Sequence, residues 1–274
     1  MTLSRGDASQ QLDGAGLRAK RALGQNFVVD PNTVRRIARL ADVKQGDRVL
    51  EIGAGLGSLT LALAESGADI TAVEIDEQLL PLLTANVGHL PNVTVVHGDA
   101  MNLDWDTLLG GHRDWALVAN LPYNVATPLV ADVLDLVPAV SRMLVMVQKE
   151  VGERFAAQPR DEAFGAVSVK VAFHGTATVV GIVPPTVFLP RPNVDSALVS
   201  IRRHREPLDP TVEPKTLFRL VRTGFAKRRK MLRGAMAGTA TVEQLEAAGI
   251  APTARAEELS VHDWLRLAHV VTAG

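Results

Sequence analysis

Arg48-Val49-Leu50-Glu51-Ile52-Gly53-Ala54-Gly55-Leu56-Gly57 decides the fold of this chain. An apolar strand runs into three glycines at alternate positions, and a helical stretch, Ser58 to Glu65, follows at once. In such a turn the glycines let backbone N–H groups approach a nucleotide-like ligand closely, as in folds of the Rossmann class. Working outward, strands are expected at Asp69 to Glu74 and Val93 to His97, with a helix at Glu77 to Ala85 between them, giving a βαβαβ order. The pattern resumes with Trp115 to Ala119, a helix from about Pro128 to Leu136, and the strongly apolar Arg142 to Gln148. Strands this continuously hydrophobic indicate a parallel sheet covered on both faces. Upstream, Asp30-Pro31-Asn32 reads as a helix start, with Val34, Ile37, Ala38 and Ala41 at helical spacing. Downstream, Val167 to Phe173, Thr176 to Val183 and Ala197 to Arg203 alternate and suggest an antiparallel edge. The composition shifts at Arg205-Glu206-Pro207-Leu208-Asp209-Pro210, which is read as a linker, and from Lys215 onward the chain reads as helices. The expected organisation is a domain over residues 1–206, with a flexible N-terminal extension from Met1 to Gly24, and a small helical domain over 207–274.

A chain of 274 residues, 47% of them hydrophobic, suits one large core with a smaller appended unit. The formal net charge is -1, so any surface for nucleic acid must be a local concentration of Lys and Arg. The absence of cysteine excludes disulfides, a thiolate zinc site and a Cys nucleophile, and it suits a reducing cytoplasm. The seven histidines are scattered, and no metal site is expected. No apolar run approaches the ~20 residues of a membrane span, and the first residues lack a signal-peptide core, so a soluble, unexported monomer is expected.

The glycine loop acquires chemistry from its neighbours. Glu74 ends the next strand about 20 residues after the loop, where a carboxylate can accept both hydroxyls of a ribose. The loop is Gly-x-Gly-x-Gly, not the dinucleotide Gly-x-Gly-x-x-Gly, and Glu51 stands just before it, which matches S-adenosylmethionine, whose amino acid part carries an ammonium. Asp99, in Gly98-Asp99-Ala100, is placed to accept from the cofactor's adenine amine; its alternative use is as a helix N-cap. Asn120-Leu121-Pro122-Tyr123 then reads as a site for a flat amine. The Asn120 carboxamide and a neighbouring carbonyl can each accept one amino hydrogen, Pro122 fixes φ, and Tyr123 offers a ring for stacking. Adenine N6 fits that site, whereas a dehydrogenase would leave these four residues without a task; the bland alternative is a tight turn after a strand.

These pieces, taken in order, resemble the ribosomal RNA adenine N6-dimethyltransferase family, which includes the kasugamycin-sensitivity enzyme of the small ribosomal subunit and the erythromycin-resistance methyltransferases. The likeness begins at Gly24-Gln25-Asn26-Phe27-Val28, passes through Glu51-Ile52-Gly53-Ala54-Gly55, Glu74, Gly98-Asp99-Ala100, Asn120-Leu121-Pro122-Tyr123-Asn124 and Gln148-Lys149-Glu150-Val151-Gly152-Glu153-Arg154, and closes with Phe188-Leu189-Pro190-Arg191-Pro192-Asn193-Val194-Asp195-Ser196. It implies a Rossmann-like class I S-adenosylmethionine-dependent methyltransferase domain of α/β type followed by a small C-terminal helical domain. It assigns cofactor contacts to Asn26, Val28, Gly53, Glu74, Asp99 and Asn120. Val28 departs from the leucine common at that place, a conservative change if the contact is through the backbone. Ala163-Phe164-Gly165-Ala166-Val167-Ser168 and the basic C-terminal domain resemble the small-subunit branch, so the implied substrate is 16S rRNA in an immature small subunit.

The target base is expected between Tyr123 and Phe188. The residues around Phe188, with Pro184, Pro185 and Pro190, point by themselves to loop packing, and only the resemblance makes it a base platform. Arg222, Lys227, Arg228, Arg229, Lys230 and Arg233 form the densest positive run and suit phosphate contact, with a solvated helix face as the ordinary alternative. A second basic group is Arg18, Lys20 and Arg21. Three other functions stay open at this point: a large-subunit rRNA methyltransferase conferring macrolide resistance, a non-catalytic RNA-binding assembly or transcription factor, and, more distantly, a nicotinamide-dependent dehydrogenase.

Overall fold

The computed structural model describes residues 2–273. Nine strands occur among them: β1 Phe27–Val28, β2 Arg48–Ile52, β3 Asp69–Glu74, β4 Val93–His97, β5 Trp115–Asn120, β6 Val140–Gln148, β7 Gly175–Val183, β8 Phe188–Leu189 and β9 Ser196–Arg203. Seven of them form one sheet in the order β4-β3-β2-β5-β6-β9-β7. Strands β4 through β6 run parallel, and β9 pairs antiparallel with β6, Gln148 opposite Ser196. The burial of β2 and β5 on both faces, with Val49, Leu50, Ala116 and Leu117 all inaccessible, explains their unbroken hydrophobic runs. Chain order runs outward from β2 to β4 on one side and from β5 to β6 on the other, so the topology switches between β2 and β5, the place where open α/β sheets bind ligands.

The helices are closed by local chemistry legible in the sequence. Asp30 accepts from the Thr33 N–H at 2.8 Å and Pro31 occupies the first turn of Pro31–Ala41, which buries Val34, Ile37 and Ala41. Helix Ala126–Leu136 ends on Arg203, whose guanidinium donates to the carbonyls of Val133, Leu134 and Val137, satisfying acceptors that a helix end leaves open.

The expectations for the N-terminus and for Val167 to Phe173 are corrected. The N-terminal stretch is not a loose extension. Ser4 and Asp7 cap each other reciprocally to start helix Arg5–Gly14, Ala8 and Leu12 are buried against Val29, Leu56 and Leu79, and Arg5 donates to the carbonyls of Thr186 and Phe188 at 2.8 and 2.9 Å. Val167 to Phe173 is not a strand but lies in helix Ala166–His174. Its alternating valines satisfy either period, and the Ser168 hydroxyl, accepting from Gly165 N–H and donating to the Arg154 carbonyl, fixes the helical turn.

The chain divides into two compact units: Met1–Gly152 with Thr178–Arg203, and Glu153–Ala177 with His204–Gly274. The second unit is therefore built from two stretches of chain, where a single cut after residue 206 was expected. The physical reason is its core, in which Phe164, Val169 and Phe173 from the earlier stretch pack with Leu217, Leu220, Trp264 and Leu267 from the later one. Among the described residues no helix is long and apolar enough to cross a membrane.

Candidate active site

The switch point places Gly53, at the end of β2, beside Asn120, at the end of β5. A Cβ on Gly53 would lie 3.7 Å from the Asn120 carbonyl, and the residue holds φ at +75°, a left-handed conformation that glycine adopts without strain. Gly55, at φ +58°, is the tighter position, since a Cβ there would sit 2.9 Å from the Phe27 ring. The Gly55 N–H donates to Glu74 Oε2 at 2.7 Å and the Asp76 N–H to Glu74 Oε1 at 2.9 Å, so the carboxylate at the tip of β3 is aimed by backbone on both sides. Burial pushes the Glu74 carboxyl up, and these N–H donors pull part of it back. Gly53, Gly55, Glu74 and Asn120 line one open cavity, which encloses about 810 Å³ when the space at its mouth is counted.

Glu51 faces the same cavity and is almost wholly buried, with Oε2 lacking a hydrogen-bond partner among the described residues. Burial, reinforced by the charge on Glu74, pushes its carboxyl up to about 8. A buried carboxyl with one oxygen unpartnered among the described residues, in a glycine-walled cavity, fits the ammonium of an amino acid moiety, which would repay its desolvation. In the protein free of ligand the consequence runs against stability. The folded carboxyl holds its proton to a higher pH than the unfolded one, so the stability it contributes is full below the ordinary value of 4.5 and is lost as pH rises toward about 8. Glu51→Gln is expected to remove that decline, and thermal midpoints of both proteins across about pH 5 to 9 measure it; parallel curves would overturn the assignment.

Asn120 Nδ2 donates to the Asn26 carbonyl at 2.8 Å, which fixes the carboxamide and leaves Oδ1 without a donor among the described residues. Leu121 donates its N–H to the Met146 carbonyl at 3.0 Å, and its own carbonyl likewise accepts none among them. The Pro122 carbonyl accepts from Val125 and Ala126, starting helix Ala126–Leu136 immediately after the tetrapeptide. Tyr123 is half-buried, and its hydroxyl lies 2.9 Å from Ser196 Oγ at the start of β9. Val28 is held in β1 opposite Phe188 and lines the cavity. Asp99 lines an adjoining hollow that shares Gly53 and Pro122 with the first; its carboxylate accepts from Met101 N–H at 3.0 Å and Asn102 Nδ2 at 2.7 Å. Asp99 thus closes a turn and caps no helix, since the next helix, Trp105–Leu109, has Asp104 as its N-cap.

Phe188 requires correction. Its ring is 0% exposed and packs with Val34, Ile37, Leu144 and Leu198 in the core, so it offers no face to an incoming base and its loop-packing reading prevails. Sequence reading also missed Leu3 and Ala8, which line the cavity from the N-terminal segment; the Ser4-x-x-Asp7 capping box was the available signal.

In the second unit, Arg222, Lys227, Arg229, Lys230 and Arg233 are exposed. Lys227 to Lys230 form a turn between helices Pro214–Ala226 and Leu232–Ala235 and are not a helix face. Arg228 is the exception in function: it donates to Glu257 and to the Glu162 carbonyl, both at 2.7 Å, and so braces the turn. Lys20 of the other basic group is paired with Asp76, and the Arg21 side chain lies outside the described residues. Among the described residues no group of His, Asp and Glu could hold a metal ion.

Comparison with known proteins gives this geometry a lineage. A protein of Cutibacterium acnes named Ribosomal RNA small subunit methyltransferase A is 48% identical over 275 residues, covering 95% of this chain and 90% of its own. Its namesake in Streptomyces coelicolor is 45% identical, covering 96% and 94%. Among solved structures, a dimethyladenosine transferase from Plasmodium falciparum shares the fold at a TM-score of 0.76 and 23% identity, covering 88% of this chain and 95% of its own. The 23S rRNA methyltransferase ErmE matches at 0.68 and 26%, covering 90% and 99%. The family described as Ribosomal RNA adenine dimethylase matches residues 16–273. A match that takes in the glycine cradle, the Asn120 loop and both units places this chain in the ribosomal RNA adenine dimethylase family of S-adenosylmethionine-dependent methyltransferases.

Proposed function

We propose that the protein dimethylates N6 of two adjacent adenosines in the 3'-terminal hairpin loop of 16S rRNA, acting as a cytoplasmic monomer on the immature small ribosomal subunit. The observation that carries this reading is the pairing of two acceptors that no described residue engages, Asn120 Oδ1 and the Leu121 carbonyl, at the mouth of the cofactor cradle. The small-subunit relatives at 45–48% identity favour this substrate over 23S rRNA, whose enzyme ErmE stands at 26%.

Adenine N6 is a poor nucleophile because its lone pair is delocalised into the ring. In the first transfer Asn120 Oδ1 and the Leu121 carbonyl accept its two hydrogens and turn the lone pair out of conjugation; one of those hydrogens leaves as a proton, so the second transfer is made to a monomethylated amine with a single hydrogen left to donate. Holding that orientation contributes several kcal/mol, on the order expected of positioned reactants. The same acceptors stabilise the positive charge that develops on nitrogen. When bound, S-adenosylmethionine supplies an electrophilic sulfonium methyl; the residues suited to hold it are Asn26, Val28, Gly53, Glu74 and Asp99 with Glu51. Tyr123 stacks the flipped base, an interaction worth about 1–3 kcal/mol.

Transfer of labelled methyl groups to small subunits, large subunits and free rRNA, followed by nucleoside analysis, tests the reading. Dimethyladenosine on small-subunit material alone supports it, and label on large-subunit RNA overturns it. Lys227, Arg229 and Lys230 are proposed to meet phosphates, with Arg222 and Arg233 beside them. Changing Lys227, Arg229 and Lys230 together to glutamine is expected to weaken RNA binding and to flatten its dependence on log salt by roughly 0.7–0.9 for each phosphate left unneutralised. An unchanged slope in a salt titration would remove them from the RNA surface.

A further inference from the structure

Asp76 has no part in the chemistry described above, yet it is 5% exposed, and its carboxylate and N–H make four hydrogen bonds. Its carboxylate accepts from Lys20 Nζ at 2.7 Å, from Gln25 Nε2 at 2.8 Å and from the Gln78 N–H at 3.1 Å, while its own N–H donates to Glu74 Oε1 at 2.9 Å. Gln25 closes the ring, since its Oε1 accepts from the Lys20 N–H at 2.7 Å. The loop of residues 20–26 is therefore pinned through Lys20 and Gln25 to one buried acid just beyond the tip of β3. That loop lies directly on the Asn120 loop. A Cβ on Gly24 would come within 2.8 Å of Asn124 Oδ1 and 3.1 Å of Pro122 Cβ, and the Asn26 carbonyl receives the Asn120 carboxamide. Burial opposes ionisation of Asp76, but the donors from Lys20, Gln25 and Gln78 outweigh it and hold the carboxyl below the usual carboxylate range, so it is charged at neutral pH.

We propose that Asp76 is a positioning residue that locks the 20–26 loop onto the Asn120 loop, so that the carboxylate at the cofactor's ribose and the acceptor for the target amine are held by one network. The proposal rests on the methyl-transfer reading and deepens it. A loop released from Asp76 still leaves Glu74 aimed by Gly55, so the cradle survives, but the Asn26 carbonyl no longer fixes Asn120. A shift of about 1 Å in a reacting geometry costs on the order of 10²-fold in rate.

The test is single-turnover methylation of small-subunit RNA at saturating S-adenosylmethionine by the full chain, with Asp76→Ala, Gln25→Ala, Asn120→Ala and the double variant Asp76→Ala/Asn120→Ala. Asp76→Ala is expected to lower the rate constant by roughly 10- to 100-fold, Gln25→Ala by less, and Asp76→Ala to add no further loss once Asn120 is gone. Amide exchange of residues 20–26 should quicken in both single variants of the network while that of β2 and β5 stays as in the unaltered protein, which also shows that the variants are folded. A rate within about twofold of the unaltered protein, or losses that multiply in the double variant, would overturn the positioning role. Failure of the unaltered protein to transfer methyl groups at all would instead overturn the reading on which the proposal rests.

Discussion

Replacing Asn120 with alanine is expected to slow methyl transfer by about 10²–10³-fold, the loss typical of removing one preorganised group from a site of developing charge. The side chain is already immobilised through Nδ2, so its oxygen costs no reordering when the amine arrives. The Leu121 carbonyl remains in the variant, yet one acceptor alone cannot hold both amine hydrogens and turn the lone pair. Asn120 is also one of the positions that the family likeness assigns to the cofactor, but Glu74, the glycine cradle and Glu51 are untouched, so cofactor affinity should change less than rate. Single-turnover rates beside calorimetric titration with S-adenosylmethionine separate the two. Asn120→Asp keeps an oxygen but loses the donor to the Asn26 carbonyl, so it should fall between; an alanine variant within about threefold of the unaltered rate would remove Asn120 from the chemistry.

Phe188→Ala is expected to cost about 3–5 kcal/mol of stability and to lower the Tm by on the order of 10 °C. The ring is wholly enclosed, β8 pairs with β1 alone among the described residues, and Arg5 of the N-terminal helix fastens to the Phe188 carbonyl, so the void has little around it that can collapse without disturbing that attachment. Phe188→Leu keeps most of the volume and should cost only about 1 kcal/mol, with methylation retained. Thermal melts and activity on the two variants decide between packing and stacking. A leucine variant that melts normally but methylates as poorly as Tyr123→Ala would return Phe188 to the substrate base.

The parts of this site that could be read from sequence are those whose chemistry is local. Gly53, Gly55, Glu74 and Asn120 sit at strand ends, and strand ends are announced by the switch from an apolar run to glycine, acid or an Asn-x-Pro turn. Phe188 misled because the family resemblance was set above what its proline-rich surroundings indicate, and nothing local announces that its neighbours in space are aliphatic residues from the Pro31–Ala41 helix, β6 and β9. Asp76 was invisible for a related reason: its partners Lys20 and Gln25 lie more than fifty positions away, and nothing in Glu74-Ile75-Asp76 marks the second acid as different from an ordinary exposed one. The helix Ala166–His174 escaped because Val-Ser-Val-Lys-Val satisfies a period of two as readily as a turn of helix, and only packing against later residues chooses.

That packing also sets a timetable for synthesis. Phe164, Val169 and Phe173 leave the ribosome well before Leu217, Leu220 and Trp264, against which they are to be buried, and β7 and β9 are made in between. At about 5–20 residues per second the nascent chain carries those apolar side chains uncovered for several seconds. The second unit cannot be completed until helix Val261–Ala273 emerges, so the protein's own translation, and any delay within it, governs how long this surface is open to chaperones.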